Sequence, residues 1–521
     1  MAYGKAGLTV IAVALAATLA AGCAKKMDEE AALHEAAPAA DAAAAGYLAP
    51  AEAARLSVED QERYKELAQN PVKRAADERF STFAVDVDTA AYANIRRFLS
   101  QGRTPPSDAV RVEEMINYFR YDLPKPQSGA QPFSVTTDAA VTPWNPNTRL
   151  LRVALRGYDV DRAQRPAANL VFLIDVSGSM SDDDKLPLVK QTLGLLARQL
   201  RSDDKVSIVV YAGAAGVVLE PTADRAKIEA ALKRLEAGGS TAGGQGIELA
   251  YAVARANRIK DGINRVILAT DGDFNVGISD PEKLKEVVER NRDDGITLTA
   301  LGFGQGNYSD WMMEAIADAG NGNYAYIDGM NEARKVLQDE LSSTLFTIAK
   351  DVKVQVEFNP AVVAEYRLVG YENRVLATED FANDKVDAGD IGAGHQVTAL
   401  YEIALVGSKG TLLPQGRYAA VPAAAGKADE LGFVELRYKL PSETTSKLIR
   451  QPLAASLAAN AKPAQGDFAF AAAVAAFGQK LRGGKYLGEF SYADVARLAG
   501  EPRDFSRQEF VKLVEAAEAS H

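Results

Sequence analysis

The chain has 521 residues, 47% of them apolar and 25% charged, and a formal net charge of −11. That length allows roughly three domains of about 150 residues, and the balance is that of a globular protein able to bury a core. The acidic excess argues against a nucleic-acid binder, which would present a basic face, and a single cysteine, Cys23, excludes an intramolecular disulfide.

The chain begins "MAYGKAGLTVIAVALAATLAAGC". Lys5 precedes an apolar run, residues 7–21, that is too short to span a bilayer comfortably. Its end, "LAAGC", resembles the lipobox of bacterial lipoproteins, although Ala20 stands where Leu is usual and Leu19 lies one place earlier. The resemblance implies a signal peptide over 1–22 and lipid on Cys23, anchoring the mature chain without a spanning helix. Ala24 after the cysteine favours outer-membrane sorting in a Gram-negative host. The competing reading is an ordinary secretory signal with a leftover thiol; an unpaired cysteine in an exported chain favours the lipid anchor. Residues 23–75 are Ala-, Glu- and Lys-rich with few aromatics and read as a flexible tether.

Order is expected from "RFSTFAVDVDTAAYANIRRFL" onward. Alternation in "STFAVDVD" predicts a strand, and "DTAAYANIRRFLSQG" a helix with Asp88 or Thr89 near its cap and Gly102 at its end. In "PPSDAVRVEEMINYF", Val112, Met115, Ile116 and Phe119 share one helical face. "PFSVTTDAAVTP" and "RLLRVALRGYDV" alternate like half-buried strands, so residues 76–167 read as an N-terminal α+β flanking domain.

Residues 168–348 change rhythm. Strand-like runs ("NLVFLIDV", "KVSIVVYAG", "NRVILATDG", "ITLTALGFG", "NYAYI") alternate with helical patterns such as "DKLPLVKQTLGLLARQL" and "PEKLKEVVERNRDDG". Such alternation predicts an α/β unit with a doubly wound, mostly parallel, Rossmann-like sheet. Residues 349–440 return to strand patterns, and 441–521 read as a helical C-terminal region. The β-rich segments on either side are expected to pair into one β-domain, with the α/β unit inserted between its halves.

Ligands of open α/β sheets sit beyond the carboxyl ends of the strands. "NLVFLIDVSGSM" ends a buried strand on Asp175, then presents Ser177 and Ser179 around Gly178. "AGGSTAGGQG" places Thr241 in a Gly-rich loop before a helix, and "VILATDGDFNVG" places Asp271 at another strand end. Two carboxylates and three hydroxyls suit a hard cation, Mg²⁺ first, with Mn²⁺ or Ca²⁺ as alternatives. Asp-x-Ser-x-Ser, a loop Thr and Thr-Asp-Gly, in that order, resemble the metal-ion-dependent adhesion site (MIDAS) of von Willebrand factor type A (VWA) domains. The resemblance implies that Ser177, Ser179 and Thr241 touch the metal and that Asp175 and Asp271 act mainly through bound water. It also implies that an Asp or Glu of a partner protein fills an open coordination position. Together with "TFAVDVDTAAYANIRRFL", "RVEEMINYF", "VEFNP", "YRLVGYENR" and "DFAFAAAVAAFG", the unit is similar to a family of bacterial VWA-domain lipoproteins, from residue 80 onward.

Other readings are weaker. Asp271, Asp273, Asn275 and Glu282 imitate a calcium-binding EF-hand loop, but Val276 stands where that loop needs Gly. "GGSTAGGQG" lacks the Gly-Lys-Ser/Thr ending of a phosphate loop, so no nucleotide is expected. The acids at 182–184 suit a solvated helix start, Asp86 and Asp88 read as strand-face acids, and Tyr371, Glu372 and Asn373 as a turn. A Ser-His-Asp hydrolase needs a base near Ser177 or Ser179. Of His34, His395 and His521, only His395 lies within a folded segment, and no His/Cys cluster supports zinc. The expectation is a non-enzymatic, membrane-tethered envelope protein that recognises an acidic residue of a protein partner through a metal ion. The alternatives are a scaffold that binds through its flanks and, more distantly, a hydrolase.

Overall fold

The computed structural model describes residues 62–126, 131–161, 165–239, 243–272, 280–340, 343, 345–414 and 428–520. Cys23, the signal segment, Thr241 and Asp273 lie outside the described residues. The strands are β1 (Lys73–Arg74), β2 (Phe80–Ala84), β3 (Phe133–Thr142) and β4 (Asn145–Gly157), then β5 (Ala168–Asp175), β6 (Lys205–Tyr211), β7 (Ala215–Thr222), β8 (Ile263–Thr270), β9 (Thr297–Phe303) and β10 (Tyr324–Ile327). After these come β11 (Thr347–Phe358), β12 (Val363–Val369), β13 (Ile391–Gly392), β14 (Gln396–Leu405), β15 (Glu430–Lys439), β16 (Lys447–Ala454) and β17 (Lys462–Pro463).

The inserted unit has the strand order β10-β9-β8-β5-β6-β7. Every neighbouring pair is parallel except β6 and β7. Successive side chains of a strand point to opposite faces, and β5 is buried throughout. Leu170, Phe172 and Ile174 pack with Val189 and Leu193 of the helix Leu186–Ala197. Val171 and Leu173 pack on the other face with Ile247, Val288 and Ile316, from three further helices. The doubly wound expectation therefore holds. The antiparallel edge strand β7 was not expected: none of its residues is buried, and its short run Val217–Leu219 shows no alternation of apolar and polar residues.

The flanks form a six-stranded sheet, β1-β12-β14-β4-β3-β17, and a five-stranded one, β13-β11-β15-β16 with β2 also on β11. β4 precedes the insertion and β14 follows it, yet they pair antiparallel from Arg156↔Gln396 to Arg149↔Ile403. β2 pairs with β11 in the same way. The chain enters and leaves the inserted unit at touching points: a Cβ on Gly157 would stand 2.7 Å from Ile348 Cδ1. Leu151, Val153 and Leu155 of β4 share a core with Val354, Val356 and Leu436 of the second sheet. Leu150 and Ala154 face the other way and join Phe470, Val474 and Phe477 of the helix Gly466–Leu481. That helix is apolar on every side, as a helix enclosed by other elements must be. Val112, Met115, Ile116 and Phe119 enter the same core, as their spacing predicts.

Three expectations shift. The C-terminal region is not helical from 441, because β16 and β17 come first with the short helix Ala455–Ala459 between them, and continuous helix starts at Gly466; β16 is mostly exposed and hides its period. The last residues of the expected tether are packed: Glu62 accepts from Arg97 at 2.8 and 2.7 Å and from the Gly306 N–H at 3.0 Å. Asp86 and Asp88 are not on a strand face, because β2 ends at Ala84; Thr89, one of the two cap candidates, is the N-cap of the helix Ala90–Ser100, and the Asp88 carboxylate accepts from the Tyr324 N–H at 2.8 Å.

Asp88 belongs to a buried seam of charge between the inserted unit and its flanks. Arg374 reaches Asp318 at 2.7 Å, Asp86 at 3.2 Å and Asp88 at 3.3 Å. Arg111 donates to Asp310 at 2.5 Å and to Glu114. Glu113 is fully buried: its Oε2 accepts from the Tyr371 N–H at 2.8 Å, and its Oε1 has no hydrogen-bond partner. Burial first, then the charges of Glu372 and Asp86, push this carboxyl up to about 8. Tyr371 takes a left-handed backbone, φ 63°, in keeping with the expected turn. Among the described residues no helix is long and apolar enough to cross a membrane.

Candidate metal centre

The chain leaves β5 toward β6 on one side of the sheet centre and leaves β8 toward β9 on the other. The crevice at such a reversal, outside the carboxyl ends, is where open α/β sheets take ligands. Asp175 closes β5, and Thr270 and Asp271 close β8.

Asp175 is fully buried. Its Oδ1 accepts from the Ser177 N–H and its Oδ2 from the Thr270 hydroxyl, both at 2.9 Å. Burial, then the charge of Asp271, push its carboxyl up to about 6. The serine turn is pinned from outside: Gly178 N–H donates to Gly239 O at 3.0 Å, and Gly238 N–H to Val176 O at 2.8 Å. These bonds bring residue 239 beside Ser177, two positions before Thr241.

Ser177 Oγ and Ser179 Oγ lie 3.0 Å apart. Adjacent oxygens of an octahedral Mg²⁺ with ligands at 2.0–2.1 Å are separated by roughly 3 Å, one edge of the octahedron. The hydroxyl pair and the carboxylates behind it thus fit a hard divalent ion. Among the described residues no group of three or more His, Cys, Asp or Glu could hold a metal. An ion here depends on the hydroxyls.

Sequence reasoning missed three contributors. Thr270 tethers Asp175 and accepts from the Gly272 N–H at 3.1 Å. Lys185, taken as part of a solvated helix start, is buried, and its Nζ donates to Asp271 Oδ2 and Asn307 Oδ1, both at 3.1 Å. Asn307 Nδ2 donates to the same Asp271 oxygen at 3.2 Å. Gly304, φ 74°, makes room for the lysine stem, since a Cβ there would overlap its methylenes. One signal was available: Lys185 sits at the start of a helix, the end where the macrodipole disfavours a cation. His395 belongs to the flanking sheet, where its Nδ1 accepts from the Gly392 N–H at 3.3 Å. Burial pushes it down to about 3.

Comparison with known proteins agrees with this architecture. The family described as von Willebrand factor type A domain matches residues 169–340, and one described as von Willebrand factor matches 58–152. A third, described as uncharacterized protein YfbK, C-terminal, matches 343–519. The uncharacterized protein YfbK of Escherichia coli (strain K12) is 46% identical over 484 residues, covering 90% of this chain and 83% of that one. Among solved structures, a von Willebrand factor type A protein from Catenulispora acidiphila is 18% identical with a TM-score of 0.43, over 76% of this chain and 91% of that one. Proximal thread matrix protein 1 of the mussel byssus, with a zinc-occupied MIDAS motif, is 22% identical with a TM-score of 0.29, over 36% of this chain and 46% of that one. With the identity to the Escherichia coli protein sustained across nearly the whole length, the chain belongs to the YfbK family of bacterial proteins, built around a von Willebrand factor type A domain.

Proposed function

We propose that the protein is an envelope-anchored binding module that holds Mg²⁺ through Ser177, Ser179 and Thr241, backed by Asp175 and Asp271, and recognises an acidic residue of a protein partner. The observation that carries this reading is the Ser177–Ser179 hydroxyl pair, 3.0 Å apart at the sheet's reversal point, with two buried carboxylates behind it. The bound ion would supply an electrophilic position for a carboxylate. The chain's own part is rigidity: β5 and Thr270 fix Asp175, and the bonds from Gly178 and Gly238 fix the serine turn. Anchoring would come from lipid on Cys23, at the outer membrane of a Gram-negative host.

Titration calorimetry with Mg²⁺ or Mn²⁺ tests the site. Wild type is expected to bind one ion. Asp175→Ala and the double variant Ser177→Ala/Ser179→Ala are expected to lose at least about 100-fold in affinity, roughly 2.7 kcal/mol, with unchanged circular dichroism. Equal binding by the folded double variant would refute the assignment. Capture from envelope extract, with Mg²⁺ and with EDTA, tests the partner: a protein held in both conditions would place recognition on the flanks. Cys23→Ser is expected to release the chain from the membrane fraction.

A further inference from the structure

Lys185 is a cation hydrogen-bonded to a carboxylate of the candidate centre, Asp271. It is 4% exposed, and its ammonium is held by two fixed acceptors, Asp271 Oδ2 and Asn307 Oδ1. Its approach is also built: Gly304 leaves the channel its stem occupies, and Lys185 N–H bonds to Asp182 O at 3.0 Å, closing the turn that returns the chain to the site. Burying an ordered lysine costs side-chain entropy and desolvation, which a merely solvated helix start would not require.

The charge arithmetic gives it a role. Asp175 and Asp271 alone would exactly offset a divalent ion and leave no electrostatic demand for a further anion. With Lys185 included, these three groups sum to −1, and to +1 with a divalent ion between them. One carboxylate from outside restores neutrality in a largely water-excluded place, where such imbalances weigh heavily.

We propose that Lys185 is a built-in counter-cation that weakens binding of the metal alone and makes tight metal binding conditional on an acidic ligand. This rests on the metal-site reading above and adds to it a determinant of specificity. In the absence of metal, Lys185 compensates Asp271 and keeps the crevice folded. In its presence, the same charge opposes the ion until a carboxylate joins it, so metal and acidic ligand bind cooperatively.

The test is Mn²⁺ calorimetry on the folded chain, in chloride and in acetate, for wild type, Lys185→Met, Lys185→Gln and Lys185→Arg. Wild type is expected to bind Mn²⁺ more tightly in acetate than in chloride. Both neutral variants are expected to bind Mn²⁺ in chloride at least about tenfold more tightly than wild type and to lose the acetate effect, while Lys185→Arg stays close to wild type. Thermal melts give a second readout: without metal the neutral variants should melt earlier, and Mn²⁺ should restore them by more than it raises wild type. Neutral variants with wild-type or weaker Mn²⁺ affinity would overturn the proposal while leaving the metal site standing. No Mn²⁺ binding by wild type would overturn the metal-site reading, and this proposal with it. If one neutral variant fails to fold, the other carries the comparison; if both fold only with Mn²⁺ present, the compensating role is supported directly.

Discussion

Replacing Arg374 with Met is expected to destabilise the protein by about 3–5 kcal/mol, the usual cost of removing one partner from a buried ion cluster. The guanidinium lies within 3.3 Å of Asp318, Asp86 and Asp88. Without it Asp86 and Asp88 stay buried and repel one another, while the partly exposed side chain of Asp318 is left facing water. Lys should not rescue, because an ammonium cannot meet three carboxylates from different directions as the planar fork does. Adding Asp318→Asn to Arg374→Met should recover part of the loss, and the double-mutant cycle measures the coupling. Urea unfolding followed by fluorescence gives the midpoints; an unchanged midpoint for Arg374→Met would mean the seam contributes nothing.

The second large effect concerns pH. Glu113 titrates near 4.5 when unfolded and at about 8 when folded. Between those values the native state binds more protons than the unfolded state, so stability falls as pH rises through the window and levels off above it. Glu114, also held at about 8 by burial, adds to the fall across the same window. Glu340, held at about 2 by Lys335 and Arg120 against the effect of its burial, acts oppositely below about pH 4.5, and His395, held at about 3 by burial, acts oppositely up to about pH 6.5. The protein should therefore lose stability most steeply between about pH 6.5 and 8, by on the order of a few kcal/mol. Glu113→Gln keeps the acceptor for the Tyr371 N–H without ionising. It should flatten the upper part of the profile and raise the alkaline unfolding midpoint. A variant profile parallel to wild type at alkaline pH would locate the dependence elsewhere.

Much of the candidate site was readable because its residues sit in short motifs at the ends of strongly apolar strands. Asp175, Ser177, Ser179 and Asp271 lie where the pattern of β5 and β8 places them. Asn307 was not readable, and Lys185 offered only the oddity of a cation at a helix start, because their roles depend on loops meeting from separate connections. Lys185 reaches Asp271 across 86 residues and Asn307 across 122. The seam was hidden for the same reason: Asp88 and Arg374 are 286 residues apart, and Asp88 in a helix-start sequence mimics a cap. Edge strands β7 and β16 escaped because alternation is visible only where one face is buried.

The pairing of β4 with β14 across the insertion also orders events in time. A chain made from its N-terminus exposes the open edge of β4 long before its partner exists: Trp144 waits for Glu402, 258 residues later, and Ser81 for Tyr401, 320 residues later. An unpaired edge is a site of wrong association. The inserted unit, built from strands joined through neighbouring helices, can fold within that interval. Once it has, Gly157 and Ile348 are in contact, and the long loop has been closed before the sheet has to zip. The doubly wound unit that carries the candidate site would then also act as the clasp that brings the two halves of the β-domain together, so that a slow-folding insertion would delay maturation of the sheets that flank it.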